Sequence, residues 1–170
     1  MTADGLLIRD ATDDDWPAIW PFFHRIVAAG ETYCWPADLP SERARLEWLG
    51  GERTTALVAL DEQRGAARIL GTASIHPNRE GNGDHVANGS FMVDPAASGR
   101  GVGRALGEAA LARARAEGYR AMQFNAVVES NTGAIALWRS LGFEIIGTAP
   151  GAFHHPRDGY VGLHIMYQRL

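Results

Sequence analysis

The segment from residue 93 to residue 106 carries the clearest chemical signal in the chain. It reads Val-Asp-Pro-Ala-Ala-Ser-Gly-Arg-Gly-Val-Gly-Arg-Ala-Leu, so small residues lead from an apolar stretch into the start of a helical pattern. Small residues let backbone N–H groups approach phosphate oxygens, and the unpaired N–H groups and dipole of a helix N-terminus add positive potential. Arg100 and Arg104 can reinforce that charge. The segment therefore indicates a site for a phosphate-bearing ligand.

Two common nucleotide-binding motifs do not account for this segment. The pattern G-x-x-x-x-G-K-[ST] of nucleoside triphosphatases does not occur, and residues 98–103 do not fit the G-x-G-x-x-G of dinucleotide-binding folds. A glycine-rich turn alone is weak evidence, because a tight connection between a strand and a helix needs the same residues. The ligand has to be inferred from the motifs around the turn.

Two further motifs follow at fixed distances from the glycine-rich turn. Asn131-Thr-Gly-Ala134 opens a helical pattern, and Leu141-Gly-Phe143 ends it. With residues 98–103, these motifs resemble the GNAT superfamily of N-acetyltransferases, whose R/Q-x-x-G-x-G/A pyrophosphate loop precedes N-x-x-A and L-G-F segments. The resemblance is strong over residues 86–170. It implies an acyltransferase that uses acetyl-CoA as co-substrate.

The resemblance also implies which residues hold the coenzyme. The strand ending at residue 93 would hydrogen-bond the pantetheine arm, residues 98–104 would hold the pyrophosphate, and Asn131 would contact the reactive end. Ser98 stands where many members carry Arg or Gln, so backbone donors would have to suffice there. The residues assigned to acetyl-CoA are Phe91, Met92, Val93, Ser98, Gly99, Arg100, Gly101, Val102, Gly103, Arg104, Asn131, Ala134 and Trp138.

Acetyl transfer to an amine depends on the relative position of the two reactants and needs no protein nucleophile. An uncharged nitrogen held against the thioester carbonyl can react directly, and this is the mechanism that we predict. Backbone N–H groups of a bulged strand near residues 91–93, a bulge that the resemblance implies, would stabilise the developing oxyanion. Cys34 is not predicted to act as a nucleophile.

No residue is an obvious acid or base for the proton transfers of the reaction. Many family members place a tyrosine acid where this chain has Trp138, which leaves Tyr160 or Tyr167 as the acid, or departure of the coenzyme as a thiolate. The amine's proton could go to a water molecule, which we favour, or to one of three side chains: His85, Asp94 and Glu129.

Three asparagines bracket the expected cleft. Asn88, Asn125 and Asn131 lie near strand ends, where side-chain amides can orient a ligand or simply bond the backbone. Together with residues 137–143 and 159–161, they resemble the L-azetidine-2-carboxylate acetyltransferase branch, which acetylates small cyclic imino acids. This resemblance implies Asn88 on the acceptor's polar group and Asn125 near the reacting centre.

These residue patterns and resemblances predict the residues that act on the acceptor. The predicted catalytic residues are Asn88, Asn125 and Tyr160, and the predicted acceptor site is Tyr33, Trp35 and Asn88. For the two aromatic residues, the alternative interpretation is that they are buried anchors of their loop.

Other functions stay open at this point. A protein or peptide N-acetyltransferase would need an open, acidic cleft, to which Glu31 and Asp84 could contribute. A non-catalytic acetyl-CoA sensor would fit the missing tyrosine and Ser98. Acetylation of an amino-bearing antibiotic or herbicide would use the same kind of small pocket.

Composition bounds the remaining possibilities. The length of 170 residues predicts one domain over residues 1–170. The net charge of −4 predicts no general affinity for nucleic acid. No apolar stretch approaches the roughly 18 residues of a membrane span. One cysteine and no secretory leader predict a cytoplasmic protein, and the family suggests a homodimer. The adjacent His154 and His155 lack further ligands, so we expect exposed loop residues and no metal.

Hydrophobic periodicity predicts an α/β (α+β) protein. The resemblance implies the GNAT fold, with a mixed, mainly antiparallel sheet of about six or seven strands and about four flanking helices. Pro21 is expected to bend or divide the first helix, and Ser41 to cap the second. A turn is expected at residues 61–65. The predicted strands cover residues 6–9, 55–60, 69–76, 86–93, 121–128, 143–148 and 161–167.

Overall fold

A computed structural model describes residues 5–61 and 68–170, and these form one seven-stranded sheet and four α-helices. This confirms the predicted fold class; the turn expected at residues 61–65 lies, apart from Asp61, outside the described residues. The strands are β1 (Leu6–Asp10), β2 (Thr55–Asp61), β3 (Arg68–Pro77), β4 (Val86–Val93), β5 (Ala121–Val128), β6 (Glu144–His155) and β7 (Gly159–Arg169). The helices are α1 (Trp16–Ala29), α2 (Ser41–Leu49), α3 (Val102–Ala116) and α4 (Thr132–Ser140).

The strand order β1-β2-β3-β4-β5-β7-β6 contains one parallel pair at its centre. β4 and β5 are parallel and pair only from Val86 opposite Ala121 to Asn88 opposite Gln123. The other neighbouring strands are antiparallel and pair over longer stretches. The two central strands therefore separate beyond Asn88 and open a cleft in the sheet.

Helices cover both faces of the sheet. Alternate side chains of a strand point to opposite faces, and β2 shows this clearly. Leu57 and Ala59 pack in the cluster that contains residues of α3 and α4, whereas Val58 and Leu60 pack in the cluster that contains residues of α1 and α2. The cleft between β4 and β5 thus has a helical layer on each side.

The expectation that Pro21 divides the first helix is wrong. α1 runs without interruption from Trp16 to Ala29, and Pro21 is exposed on its outer side. A proline inside a helix costs about 3 kcal/mol. Burial of Ile19, Phe22 and other large side chains of α1 against the sheet outweighs that cost.

Ser41 does not cap α2. The N-cap position is Pro40, and Ser41 is the first helical residue. Its hydroxyl accepts a hydrogen bond from Nε1 of Trp16 at 2.9 Å, which ties the start of α2 to the start of α1. The serine therefore joins two helices instead of closing one.

The predicted loop around His154 and His155 is part of a strand. β6 continues to His155 because its pairing with β7 resumes at Phe153 opposite Val161, after a register shift beyond Ala149. His155 is buried, and its Nδ1 lies 3.0 Å from an Asp158 carboxylate oxygen. The loop assignment is wrong for both histidines, because the irregular pairing hid the strand's period. The expected exposure is wrong for His155, whereas His154 is exposed.

Trp48 is the largest fully buried side chain and fixes α2 to the sheet. Its Nε1 donates to the Thr72 hydroxyl at 3.0 Å, and its carbonyl accepts from the Ser74 hydroxyl at 2.9 Å. We expect Trp48→Ala to lower the free energy of unfolding by about 3–5 kcal/mol through the cavity and the lost bond, measured by urea denaturation. Leu46→Ala, on the exposed side of the same helix, should change it by about 0.5 kcal/mol or less. Equal losses in the two variants would contradict this packing.

Candidate active site

A cavity of about 610 Å³ occupies the cleft between β4 and β5. Its walls come from the loop that follows α1, from both strands, from the glycine-rich turn and from α4. Most of the predicted site residues line it: Tyr33, Trp35, Asn88, Phe91, Met92, Val93, Ser98, Gly103, Asn125, Asn131, Ala134 and Trp138. Those that do not are Gly99, Arg100, Gly101, Val102, Arg104 and Tyr160.

The separation of the strands frees one edge of β4. Asp94 donates its N–H to Leu70, and Asn78 donates to Val86, so the antiparallel alternation turns the backbone groups of Phe91 and Val93 away from β3. The pairing of β3 with β4 has no register shift, so the bulge expected near residues 91–93 is wrong. Because β5 diverges, these N–H and C=O groups have no strand partner. They form an edge that an extended, amide-bearing ligand can pair with.

The glycine-rich turn has the backbone shape of a phosphate cradle. Gly99 and Gly101 adopt left-handed φ angles of 76° and 74°, which residues with side chains rarely adopt. Gly101 is the N-cap of the 15-residue helix α3, so the unpaired N–H groups of that helix begin here. A Cβ atom at Gly103 would lie 3.2 Å from a methyl of Leu137, so glycine also keeps the cavity open. These features fit the pyrophosphate of a coenzyme.

The two arginines of the turn are held by protein partners. A guanidinium nitrogen of Arg100 lies 2.7 Å from an Asp61 carboxylate oxygen, and one of Arg104 donates to the Ser140 hydroxyl at 2.7 Å. Both side chains are partly exposed. The backbone N–H groups of the turn and of the first turn of α3 are therefore the main donors that a phosphate could use.

An aromatic group forms the wall on the α4 side. The Trp138 ring lies 4.7 Å from the Phe91 ring and 4.9 Å from the Phe124 ring, measured between centroids. The Oδ1 of Asn131 accepts from the N–H of Ala134 at 3.2 Å and caps α4. The cap fixes Asn131 at the cavity wall and leaves its Nδ2 available to a ligand.

A chain of side-chain amides, which we call the amide cluster (Asn78, Asn88, Gln123 and Asn125), spans the closed end of the cleft. Asn125 donates to the Asn78 Oδ1 at 2.7 Å, and Asn88 donates to the same oxygen at 3.4 Å. Gln123 donates to the Asn125 Oδ1 at 2.8 Å. Each amide nitrogen has a second hydrogen, so the cluster can orient Asn88 and Asn125 and still donate to a ligand.

Sequence reasoning missed Asn78 and Gln123. Asn78 stands at the start of a segment rich in Asn, Gly and Asp, where it looked like an ordinary turn residue. Its contact with Asn125 crosses three strands, because β4 lies between the β3 end and β5. Only the strand register brings these residues together.

We expect Asn78→Ala to raise the KM for the acetyl acceptor by about 3- to 10-fold, the effect of losing a neutral hydrogen bond that orients the other amides. The KM for acetyl-CoA should stay unchanged, as measured by steady-state thiol release. Asn82→Ala removes an exposed amide from the same β3–β4 connection and serves as the control. An equal rise in both constants would contradict an orienting role.

The acid and base candidates from the sequence do not meet in this cavity. Glu129 accepts from the N–H of Gly162 at 2.8 Å, and Asp94 is buried in an ion pair with Arg68 at 2.7 Å. His85 is exposed and lies outside the lining. Among the described residues, the cavity lining contains no charged side chain.

The two tyrosines proposed as acids also lie elsewhere. Tyr160 is 77% exposed and stacks on His154, so its position does not fit the predicted catalytic role. Tyr167 does not line the cavity either. Both belong to β7, on the far side of β5 from β4.

The loop after α1 supplies the remaining wall. The Trp35 ring stacks between the rings of Tyr33 and Phe23, at centroid distances of 5.1 and 5.5 Å. Tyr33 and Trp35 therefore line the cavity and also anchor their loop to the core. Partial burial raises the pKa of the Cys34 thiol, which disfavours a thiolate nucleophile.

Comparisons with known proteins identify the class of this fold and site. Residues 16–143 match the family model described as Acetyltransferase (GNAT) family. The chain is 30% identical to the N-acetyltransferase aca1 of Schizosaccharomyces pombe, over 85% of this chain and 75% of that protein. It is 34% identical to an L-methionine sulfoximine/L-methionine sulfone acetyltransferase of Pseudomonas aeruginosa, over 84% of this chain and 83% of that protein.

A solved structure agrees over nearly the whole chain. A GCN5-related N-acetyltransferase from Kribbella flavida is 54% identical, with a TM-score of 0.94, over 99% of this chain and 100% of that one. The chain therefore belongs to the GNAT acetyltransferase family. It is an acyltransferase of the class that takes its acetyl group from acetyl-CoA.

Within residues 5–61 and 68–170, no three His, Cys, Asp or Glu side chains come together as metal ligands. In the same part of the chain, no helix has the length and apolar character needed to cross a membrane.

Proposed function

We propose that this protein transfers the acetyl group of acetyl-CoA to the nitrogen of a small amino or imino acid, with cyclic imino acids such as azetidine-2-carboxylate as the favoured acceptors. The observation that carries the proposal is the amide cluster, which stands beside the free edge of β4. The acetyl donor and the amine that accepts the acetyl group would then bind in one cleft.

The uncharged lining supports a small, polar acceptor. Because the described lining residues carry no charge, the carboxylate of an amino acid would be bound by amide N–H donors of Asn88 and Asn125. A cavity of about 610 Å³ is within the usual range for small-molecule sites and has to hold the end of the coenzyme as well. Little room is left for a large acceptor.

The similarity to an acetyltransferase of L-methionine sulfoximine and L-methionine sulfone supports an amino acid analogue as acceptor. The acidic residues that a peptide-binding cleft would need are otherwise engaged. Glu31 pairs with Arg157 at 3.0 Å, and Asp84 pairs with Arg53 at 2.8 Å. These pairs weaken the case for a basic peptide as acceptor.

In a direct transfer, different residues of the chain would bind the coenzyme, stabilise the oxyanion and hold the acceptor. Residues 98–103 would hold the pyrophosphate, and the free edge at Phe91 and Val93 would align the pantetheine arm. An N–H group of that edge would stabilise the carbonyl oxygen as it gains negative charge. The amide cluster would hold the acceptor so that its nitrogen faces the thioester, which supplies much of the rate by orientation alone. The amine's proton would leave to water.

The test compares acceptors by kcat/KM for thiol release, with product masses recorded. We expect azetidine-2-carboxylate and related imino acids to exceed primary amino acids by about 10-fold or more, the scale of discrimination by pocket shape. Methionine sulfone, amino-bearing antibiotics, polyamines and peptides complete the panel. Turnover on peptides alone would move the function to a protein N-acetyltransferase. Coenzyme binding with no turnover on any acceptor would make the protein a sensor.

A further inference from the structure

The hydroxyl of Tyr33 occupies the free edge of β4. It accepts a hydrogen bond from the N–H of Phe91 at 3.1 Å and donates one to the C=O of the same residue at 2.7 Å. These are the backbone groups that the divergence of β5 leaves without a strand partner. A side chain from the loop that follows α1 therefore lies where the reactive arm of the coenzyme has to bind.

The ring of Tyr33 is held by other aromatic rings. It stacks on Trp35 at 5.1 Å and meets the edge of Trp48 at 6.5 Å, and Trp48 is fully buried. These contacts restrict where the hydroxyl can go when a ligand takes its place on Phe91. The hydroxyl then stays beside the β4 edge.

The cavity offers few other proton donors. All four tyrosines of the chain lie in the described residues, and Tyr33 is the one that lines the cavity. Trp138 replaces the tyrosine that the family resemblance leads one to expect on α4, and an indole N–H is not an acid in water. The serine and threonine hydroxyls of the lining are much weaker acids than a phenol. The Cys34 thiol also lines the cavity, but unlike the Tyr33 hydroxyl it has no hydrogen bond to the β4 edge in the described part of the chain.

We propose that Tyr33 is a catalytic residue, the acid that protonates the sulfur of coenzyme A as it leaves. The acceptor nitrogen forms a bond to the acetyl carbon, the carbon–sulfur bond breaks, and its electron pair stays on sulfur. The phenol O–H gives its proton to that sulfur. The proton that the amine loses returns to the phenolate through water, so the thioester and the amine become a thiol and an amide with no other reactant.

The surroundings keep the Tyr33 phenol protonated and make it a weaker acid than a phenol in water. Burial against β4 raises the pKa of Tyr33, partly offset by its hydrogen bond to Phe91. The hydroxyl is therefore protonated throughout the neutral range. The inference rests on the proposed acetyl transfer to a small amine and holds for whichever amine is the best acceptor.

The experiment combines Tyr33→Phe with fluorinated tyrosines at position 33, using the acceptor with the highest wild-type turnover. Tyr33→Phe is expected to lower kcat by about 10- to 100-fold, as for loss of a general acid, with the Kd for acetyl-CoA changed by about 3-fold or less. In the fluorinated series, kcat should change with the acidity of the phenol, which a merely structural tyrosine would not cause. Tyr119→Phe, which removes a phenol outside the cavity, should keep wild-type kcat.

Each other result contradicts the assignment. Full activity of Tyr33→Phe, or fluorinated variants that all share one kcat, would overturn the role of Tyr33 and leave the proposed function intact. A large loss of acetyl-CoA affinity with unchanged kcat would make the residue a binding contact only. No turnover of the wild-type protein with any amine would overturn both proposals.

Discussion

Gly101→Val is expected to weaken acetyl-CoA binding by about 100-fold or more, equivalent to about 2.7 kcal/mol. Gly101 has a φ of 74° and forms the N-cap of α3. A β-branched residue disfavours that conformation, so the turn would rearrange and its N–H groups would no longer converge on the phosphates. Isothermal titration with acetyl-CoA measures the loss directly.

Gly118→Val is the matched control for this variant. Gly118 follows the C-terminal end of the same helix with a φ of 84°, and a Cβ atom there would meet nothing within 4 Å. The two substitutions should cause similar strain, of about 1–3 kcal/mol, and similar losses of thermal stability. Only Gly101→Val should lose the coenzyme. Equal affinities in the two folded variants would show that the turn does not bind the pyrophosphate.

Asn88→Ala is expected to lower kcat/KM for the acceptor by about 10- to 100-fold, the effect of losing a hydrogen bond to a charged carboxylate. Asn88 is the member of the amide cluster that lies on β4, where the strands begin to separate. The Kd for acetyl-CoA should stay the same, because the glycine-rich turn lies at the other end of the cleft. Initial rates at varied acceptor concentration provide the measurement.

Asn88→Asp separates a loss of shape from a loss of donors. Aspartate keeps the size of asparagine but accepts hydrogen bonds and carries a negative charge. It should therefore reduce kcat/KM for a carboxylate-bearing acceptor at least as much as alanine does. Wild-type activity of Asn88→Asp would contradict carboxylate binding at this residue.

The sequence alone predicted the elements well where their patterns were strong. β4 and β5 begin and end as predicted, because β-branched and apolar residues alternate there between clear turns. The glycine-rich turn was recognised from its run of small residues between an apolar stretch and a helical pattern, and in the structure Gly99 and Gly101 adopt left-handed φ angles there. These features depend on residues that are near in sequence.

What the sequence could not predict depends on pairing between distant residues. The free edge of β4 exists because β5 pairs with it over only three positions, and no local pattern encodes that divergence. The amide cluster joins Asn78 to Asn125 across the intervening β4, and the contact of Tyr33 with Phe91 spans 58 residues. The continuity of α1 through Pro21 likewise reflects tertiary packing that local propensity does not contain.

A crystal structure of a ternary complex would show whether one cleft between β4 and β5 binds both reactants. With coenzyme A and azetidine-2-carboxylate, we expect the pyrophosphate on residues 98–103, the pantetheine arm along Phe91 and Val93, and the carboxylate bonded to Asn88 or Asn125. The acceptor nitrogen should face the sulfur. A coenzyme bound away from the β4 edge, or an acceptor bound outside this cleft, would contradict the account.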